Sequence, residues 1–360
     1  WCEPVWDSLL CWPPTKASTT AKQRCPYEDG FDTTKSVEKK CGYNGRWEGQ
    51  NGTNNDSPHG WANYTTCMTP EMLRLHGKVY TNAIEGNMKL DIAEKTRTLE
   101  FVGLSISLVA LFASLAIFCR FRSLRNTRTR IHKNLFVAMV VQVLIRLTIY
   151  IDIEILRKKT YGIQRGIGNT PVLCEASYAL LEYAKTAMFM WMFIEGLFLH
   201  NMVTAVTVFQ ENSYYRMYRF IGWGCPVMMT LIWATITAFY YHPKSKCWSG
   251  YNLSSYFWIL EGPRFAVILL NFLFLLNIVR VLVVKLRQSH TSEIEQVLRK
   301  AVRAAVVLLP LLGITNVLFM IEAPLHNVRK IALWSYSTHF LQSFQGLFIA
   351  TLYCFLNGEV

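Results

Sequence analysis

Apolar residues are unevenly distributed along this chain. Residues 1–98 are rich in Gly, Asn, Thr and Lys, whereas the remainder forms long apolar stretches separated by polar segments. Each stretch approaches the roughly 20 apolar residues that a helix needs to cross a bilayer, and at this length only helices satisfy their backbone within lipid. The pattern predicts seven membrane-spanning helices, at residues 99–118, 131–155, 174–209, 220–241, 256–286, 297–320 and 331–356.

The polar front of the chain contains five closely spaced cysteines, at Cys2, Cys11, Cys25, Cys41 and Cys67. Thiols at this density in a short polar segment predict a disulfide framework, which persists only in an oxidising compartment. Because five is an odd number, one cysteine has no partner within this segment. Neither an initiator Met nor a signal segment precedes Trp1, so we expect the chain to be a fragment.

These features predict four parts. They are an extracellular domain at 1–67, a polar stalk with some helical spacing at 68–98, the helix bundle at 99–356 and the start of a cytoplasmic tail at 357–360.

Basic residues indicate the orientation in the membrane. Between the first two spans lie Arg120, Arg122, Arg125, Arg128, Arg130 and Lys133, and between spans five and six lie Arg280, Lys285, Arg287, Arg299, Lys300 and Arg303. Cytoplasmic loops are enriched in Lys and Arg, so both segments are predicted inside and the cysteine-rich front outside. The net charge of +13 would by itself suit a nucleic-acid partner. Because much of it lies beside the ends of apolar stretches, we expect instead a multi-pass protein in the lipid of the plasma membrane.

Three glycosylation sequons, at Asn51, Asn63 and Asn252, fall on segments predicted to be extracellular. Cys174 and Cys247 are also predicted to face outside, where a bridge between them would pin the loop between spans four and five. The alternative is two free thiols, as expected for Cys119, Cys225 and Cys354.

Polar and charged residues interrupt the outer halves of three spans. They are Gln142, Arg146 and Tyr150 in the second span, Glu182 and Lys185 in the third, and Glu261 and Arg264 in the fifth. Spacings of three or four place each group on one helix face, and charge in lipid should point inward. Two interpretations stay open at this point: a purely structural salt-bridge network, or a ligand pocket with aromatic neighbours such as Trp191 and Trp258.

A second polar group is predicted near the cytoplasmic ends of the helices. His132, Glu195 and Tyr353 could form a polar latch between helices, although a lone His on a helix is more often structural. Opening such a latch would let a bundle with two packings act as a switch. Pro310 and Gly313 add a plausible hinge in the sixth span, because Pro removes a backbone donor.

Signals for catalysis are missing from the sequence. It contains no Gly-rich phosphate loop, no His pair at metal spacing and no nucleophile with a convincing base. We therefore expect no enzyme activity, no catalytic residue, no cofactor and no metal. A transporter or channel with a charged outer vestibule is the alternative from another class, although we find no internal repeat.

Several motifs resemble a known family. In the extracellular part they are Asp7, Cys11-Trp12-Pro13, Gly45-Arg-Trp47 and Asn63-Tyr-Thr-Thr-Cys67. In the bundle they are Arg128-Thr-Arg-Ile-His132, Phe193-Ile-Glu195-Gly-Leu-Phe-Leu-His200, Gly222-Trp-Gly-Cys-Pro226, Asn271-Phe272, Leu309-Pro-Leu-Leu-Gly313 and Phe344-Gln-Gly-Leu-Phe348. The chain resembles the class B (secretin-like) G-protein-coupled receptors over nearly its whole length.

The resemblance implies an all-α membrane protein: a seven-transmembrane helix bundle preceded by a small disulfide-stapled α/β extracellular hormone-binding domain. A peptide hormone would contact the domain and the outer bundle, at Asp7, Trp12, Trp47, Gln142, Arg146, Tyr150, Lys185, Trp248, Glu261 and Arg264. A heterotrimeric G protein of the stimulatory type would bind inside and raise cyclic AMP. The activation switch would comprise Arg128, His132, Glu195, Pro310, Gly313, Gln345 and Tyr353.

The resemblance also implies disulfides and a ligand class. The family's connectivity gives Cys2–Cys41 and Cys25–Cys67 and leaves Cys11 to pair with a cysteine upstream of Trp1. The family's central polar network commonly has Arg, Asn and His where this chain has Gln142, Met188 and Thr315, which argues against a glucagon-like hormone. Near the latch, the chain has Ala305 where the family commonly has Thr and Phe198 where it commonly has Tyr. Pigment-dispersing factor is the ligand that the resemblance favours, with a calcitonin-like diuretic hormone as the alternative.

Overall fold

The computed structural model describes residues 1–26, 30–50, 59–80, 83–120, 127–158, 166–167, 170–204, 211–241, 247–248, 250–288 and 323–355. The chain divides into two compact units. One comprises Trp1–Thr81 and Thr235–Phe257, and the other comprises Asn82–Ala234 and Trp258–Val360. The predicted sixth span, with Pro310 and Gly313, lies outside the described residues, as does the sequon at Asn51.

Two small antiparallel hairpins form the extracellular module at the front of the chain. Strands β1 (Val5–Trp6) and β2 (Cys11–Trp12) pair with each other, as do β3 (Thr20–Arg24) and β4 (Ser36–Lys40). Along β4 the pleat buries Val37 and Lys39 and exposes Glu38 and Lys40, as strand periodicity requires.

Two disulfides close this module. Cys2 is bonded to Cys41 and Cys25 to Cys67, and these are the pairs that the family resemblance implies. Each bridge closes a loop of about forty residues, with sequence separations of 39 and 42. Such loops restrict the unfolded chain and stabilise a module too small for a large hydrophobic core. Cys11 is exposed and has no disulfide partner among the described residues.

The predicted stalk is helical in two pieces. Helix α1 (Pro70–Val79) begins after Thr69, whose hydroxyl accepts a hydrogen bond from the Met72 amide, and Pro70 suits a first helical position because that site needs no amide donor. Helix α2 (Ala83–Arg120) then continues without a break into the first predicted span. At 1.5 Å per residue its 38 residues extend about 57 Å, well beyond the roughly 30 Å of bilayer hydrocarbon.

Six of the seven predicted spans are helical in the described residues. The helices after α2 are α3 (Thr127–Lys158), α4 (Pro171–Thr204), α5 (Glu211–Arg219), α6 (Cys225–Tyr241), α7 (Trp258–Gln288), α8 (Val328–Ser343) and α9 (Gln345–Ala350). A π-helical segment, Phe220–Gly224, joins α5 to α6, and another, Thr351–Phe355, follows α9.

Four described helical stretches are long and apolar enough to cross a membrane. They are Ile84–Arg120, Thr127–Ile155, Tyr215–Tyr241 and Ser255–Val281. Helix α4 covers the third predicted span but carries Glu182, Lys185 and Glu195 in its interior. Within the bundle unit, α4 packs against α3 and α7, while α2 packs against α3, α8 and α9.

Hydrogen bonds from α2 stabilise a break in the helix of the last predicted span. Helix α8 ends at Phe344, whose φ of −90° and ψ of 0° interrupt the helix before α9 begins. The Ser107 hydroxyl of α2 donates to the Ser343 carbonyl at 2.6 Å and accepts from the Leu347 amide at 3.2 Å. These bonds satisfy backbone groups that the break would otherwise leave unpaired in lipid. A side chain at Gly103 would collide with Ser343, so glycine permits the close approach.

Candidate functional site

One carboxylate organises the core of the extracellular module. Asp7 follows β1 and accepts hydrogen bonds from Trp12 Nε1 at 2.7 Å and from the Tyr64 hydroxyl at 2.9 Å. Lys39 Nζ lies 3.2 Å from Asp7 Oδ2 and sits over the rings of Trp12 and Trp47, 5.4 and 5.5 Å from their centroids. We call these five residues the Asp7 cluster. They join both hairpins to the segment that contains Trp47 and Tyr64.

Burial changes the role predicted for this cluster. Trp12 and Trp47 lie inside the module, and the carboxylate of Asp7 is committed to its internal partners. The structure thus places these three predicted peptide contacts in the core that shapes the module. Trp6, Tyr43 and Trp61 are exposed instead, and such aromatic side chains are typical anchors in peptide interfaces. Sequence reasoning did not single them out, because residue type alone does not separate a core aromatic from a surface one.

Ionisation in the Asp7 cluster follows from burial and hydrogen bonding. Burial would raise the pKa of Asp7, but hydrogen bonds from the Leu10 amide, Trp12 and Tyr64, together with the Lys39 charge, hold it below its usual value. Burial lowers the pKa of Lys39, and the attraction of Asp7 only partly offsets this. Burial and the hydrogen bond to Asp7 raise the pKa of Tyr64. At neutral pH the cluster therefore contains a buried ion pair.

The residues of the predicted outer-loop bridge are both oxidised. Cys174, at the start of α4, and Cys247 are each disulfide-bonded. Their pairing with each other stays a prediction. Trp248, which follows Cys247 in the sequence and is predicted to contact the peptide, is buried.

In the outer half of the bundle, one polar cluster joins α2, α3 and α8. Glu100 of α2 forms an ion pair with Arg146 of α3 and accepts a hydrogen bond from the Tyr150 hydroxyl at 2.8 Å. His339 Nδ1 of α8 lies 3.3 Å from the same carboxylate, and Arg146 Nη2 donates to Gln342 Oε1 at 3.2 Å. We call this the Glu100 cluster. Sequence reasoning found Arg146 and Tyr150 but missed the carboxylate that joins them.

A second outer cluster joins α4 and α7. Arg264 Nη2 donates to Glu182 Oε2 at 2.7 Å and to Thr186 Oγ1 at 2.7 Å, and its Nη1 donates to Glu261 Oε1 at 2.7 Å. Lys185 Nζ donates to Glu182 Oε1, also at 2.7 Å. We call this the Arg264 cluster. Each charge has a partner of opposite sign, as burial within a membrane bundle requires.

Within the Arg264 cluster, fully buried charges differ from partly exposed ones. The side chains of Arg264 and Glu182 are 1% and 0% exposed, whereas those of Lys185 and Glu261 are 22% and 23% exposed. Arg264 and Glu182 therefore fit the structural interpretation of the sequence pattern. Lys185 and Glu261 fit the ligand-pocket interpretation better, because a peptide group could reach them without opening the helix pair. Gln142, also predicted to bind peptide, is buried on α3.

At the cytoplasmic side, the predicted latch residues come together. His132 Nδ1 of α3 lies 3.4 Å from Glu195 Oε1 of α4, and the rings of His132 and Tyr353 are 4.5 Å apart. The Tyr353 side chain also hydrogen-bonds to Glu195. Arg128 lies exposed one turn before His132, and Gln345 is buried at the start of α9. The latch joins α3, α4 and the π-helical turn after α9.

Another inner contact was not predicted. Asn277 Nδ2 of α7 lies 2.8 Å from His200 Nε2 in the last turns of α4, and Phe274 packs against the His200 ring at 4.9 Å. Farther out along the same pair, a side chain at Gly196 would collide with the Asn271 amide. Helices α4 and α7 are thus held at an outer, a middle and an inner level. The sequence around His200 or Asn277 alone does not indicate that the two side chains are partners.

Comparison with protein families agrees with this architecture. The model of the 7 transmembrane receptor (Secretin family) matches residues 93–349, and that of the hormone receptor domain matches residues 1–70. The chain belongs to the secretin family of seven-transmembrane receptors. The predicted fold class, a helix bundle with a small disulfide-stapled hormone-binding domain, is thereby confirmed. The family is one of receptors, which sets aside the transporter or channel alternative.

Individual relatives align with this receptor over its whole length. It is 56% identical to the "PDF receptor" of Drosophila melanogaster, 37% to "Calcitonin receptor-like protein 1" of Caenorhabditis elegans and 36% to the "Calcitonin receptor" of Homo sapiens. The alignments cover 54%, 67% and 69% of those proteins. The chain thus spans about half the length of the Drosophila relative.

Replacing Asp7 by Asn should destabilise the extracellular module by about 3–5 kcal/mol at neutral pH, because Lys39 would stay buried without a counter-charge. Hydrogen-exchange protection of the β3 and β4 amides in the full chain measures this. Glu38→Gln is the matched control, since it breaks the exposed Lys22–Glu38 pair of the same hairpin. Equal protection in the two variants would contradict the role given to Asp7.

The same measurement has a defined pH dependence. A carboxyl whose pKa is lowered by folding contributes stability above its unfolded pKa of about 3.9 and loses it as the pH falls through the folded value. In the unsubstituted receptor, protection corrected for intrinsic exchange should therefore fall below about pH 4. The Asp7→Asn variant should lack this acid-sensitive component.

Proposed function

We propose that this receptor binds a peptide hormone at the cell surface and signals through a stimulatory G protein that raises cyclic AMP. The observation that carries the proposal is the combination of a hormone receptor domain with a bundle that has two separate polar zones. The outer zone contains the accessible charges Lys185 and Glu261, and the inner zone contains the closed latch. One zone suits a ligand and the other suits a switch.

The proposed ligand is pigment-dispersing factor. The 56% identity to the Drosophila "PDF receptor" extends over the whole chain, whereas the calcitonin-receptor relatives are 36–37% identical. Three segments that resemble receptors for pigment-dispersing factor support this ligand. They are Trp191-Met-Phe-Ile-Glu-Gly, Glu261-Gly-Pro-Arg and Lys300-Ala-Val-Arg-Ala-Ala. A calcitonin-like diuretic hormone is the alternative, because the names of the other two relatives refer to a calcitonin receptor.

In this proposal the peptide uses two sites. One end docks on the extracellular module, where Trp6, Tyr43 and Trp61 offer exposed aromatic area. The other end enters the outer bundle and contacts Lys185 and Glu261. A polar or charged peptide group there would compete with existing ion pairs, so binding changes the forces that hold α4 against α7. Arg146 and Tyr150 would respond in the same way through Glu100.

Signal transfer requires a second packing of the helices. In the packing described here His132, Glu195 and Tyr353 are joined, so this packing corresponds to the closed latch. Ligand binding that favours an open latch would separate the inner helix ends and admit a G protein. Pro310 and Gly313 are the proposed hinge of the sixth span. The position equivalent to the family's usual latch threonine is Ala305.

Further features complete the proposal. The domain boundaries are 1–67, 68–98, 99–356 and 357–360, and Cys174 pairs with Cys247, while Cys11 pairs with a cysteine preceding this segment. Glycosylation is proposed at Asn51, Asn63 and Asn252. Asn63 supports this, because it is exposed and its Oδ1 accepts a hydrogen bond from the Thr65 hydroxyl at 2.6 Å. The receptor would reside in the plasma membrane with its N-terminal side extracellular.

Cyclic AMP dose–response curves test the ligand. Cells that express the receptor should respond to pigment-dispersing factor at a concentration at least about tenfold lower than to a calcitonin-like diuretic hormone, which corresponds to ~1.4 kcal/mol of binding preference. Cells without the receptor are the control. The reverse order would replace the proposed ligand with the alternative, and no response to either peptide at confirmed surface expression would contradict both.

Opening the latch by mutation should raise signalling without ligand. Interhelical hydrogen bonds in membrane proteins contribute about 0.6–2 kcal/mol. His132→Ala or Glu195→Ala should therefore raise the ratio of open to closed latch about 3- to 30-fold and increase basal cyclic AMP. Glu175→Ala removes a carboxylate from the opposite end of α4 and is the matched control. Basal signalling that matches this control, at equal surface expression, would argue against the latch.

A further inference from the structure

Helix α5 is attached to α3 by one of its faces. Tyr218 is buried in the bundle core, and the Tyr215 hydroxyl accepts a hydrogen bond from Asn134 Nδ2 at 3.2 Å. Asn134 Oδ1 in turn accepts from Trp223 Nε1 at 3.0 Å, just beyond the end of α5. The guanidinium of Arg130 lies over the Tyr215 ring, 5.6 Å from its centroid. These contacts determine which face of α5 remains exposed.

The exposed face of α5 is strongly basic. Arg216 and Arg219 are exposed and lie three positions apart, so they share a helix face, and Arg130 adds a third exposed guanidinium beside Tyr215. None of the three forms an ion pair within the described part of the chain. The sequence explains this, because residues 101–151 contain no Asp or Glu and Glu211 is the only acidic residue between Glu195 and Glu261.

Apolar side chains lie directly beside these arginines. Met217 is 46% and Phe220 is 70% exposed, and they are also three positions apart. The stretch Tyr215–Tyr241 is itself a candidate membrane span, so the end of α5 lies where a helix enters the bilayer. Guanidinium groups next to exposed apolar side chains are typical of a helix that lies at a lipid headgroup region.

We propose that Arg130, Arg216 and Arg219 bind the phosphate-bearing headgroup of an acidic phospholipid in the inner leaflet, while Met217 and Phe220 contact its acyl chains. Guanidinium groups match phosphate oxygens in a bidentate geometry, and the cytoplasmic leaflet is the anionic one. The positive-inside argument places α5 on that side, between the third and fourth spans. This site includes none of the residues assigned to the hormone or to the latch.

The apolar pair distinguishes a lipid from a free anion. A soluble phosphate would use only the arginines, whereas a phospholipid also buries Met217 and Phe220. The same pair argues against a purely electrostatic surface, because exposed Phe is unfavourable in water but favourable at the acyl boundary.

Lipid retention by the purified full chain tests the proposal. The receptor is reconstituted in phosphatidylcholine nanodiscs with a small fraction of phosphatidylinositol bisphosphate, and the bound acidic lipid is measured by native mass spectrometry. Each basic residue near an anionic surface contributes ~1 kcal/mol. The double variant Arg216→Gln/Arg219→Gln should therefore bind the acidic lipid about 30-fold more weakly, at 1.4 kcal/mol per tenfold.

Arg329→Gln/Lys330→Gln is the matched control. It removes the same charge from two exposed residues at the start of α8, on the predicted outer side, and should leave retention unchanged. Arg216→Lys/Arg219→Lys should give an intermediate loss, because charge remains but bidentate geometry does not. The Lys variant also keeps the test valid if the Gln variant does not fold.

Three results would overturn the proposal. The first is equal retention in the Gln variant and the control. The second is that inorganic phosphate displaces the bound lipid at the same concentration as added acidic lipid does. That result would indicate a site for a free anion. The third concerns G-protein coupling of the Arg216→Gln/Arg219→Gln variant. If this variant retains the acidic lipid as the unsubstituted receptor does, but loses coupling equally in neutral and in acidic nanodiscs, the arginines form a protein-docking surface.

Discussion

The bundle depends on how it accommodates Arg264, a guanidinium fully buried between α4 and α7 in the outer half of the bundle. An uncompensated charge there would be strongly unfavourable, so Glu182, Glu261 and Thr186 must occupy positions within hydrogen-bond distance. This requirement restricts the rotation of α4 relative to α7. With α4 and α7 in this orientation, Asn271 packs closely against Gly196, and Asn277 contacts His200.

The same constraint recurs elsewhere with different consequences. Glu100 and Arg146 join α2 to α3, and Asp7 and Lys39 hold the extracellular module together. The buried pairs are committed to structure, whereas Lys185 and Glu261 remain partly open to exchange partners with a ligand. A receptor needs both kinds, because a ligand can shift a packing only if it interacts differently with the two packings.

Local patterns predicted the spans, the orientation and the latch residues, because each rests on composition or on spacing within one helix. Glu100 was missed because it stands at the polar edge of the first span, and its partner His339 lies on the last one. The continuity of α2 was missed because its first turns are polar and depend on helix propensity and packing, not on lipid. The burial of Trp12 and Trp47 follows from long-range contacts through Lys39, while their contact with the peptide stays a prediction. Pairing between distant helices has no signature within a single helix.

Charge pairing at Arg264 is the central claim, and a double-mutant cycle of thermal stability in the purified receptor tests it. Arg264→Gln and Glu182→Gln should each lower stability by at most about 3–5 kcal/mol, because each removes the interhelical ion-pair partner of a buried charge and leaves that charge only its ion-pair partner on the same helix. The double variant removes both charges and should be more stable than either single variant. If the two losses simply add, the pair does not hold α4 against α7 in the way proposed here.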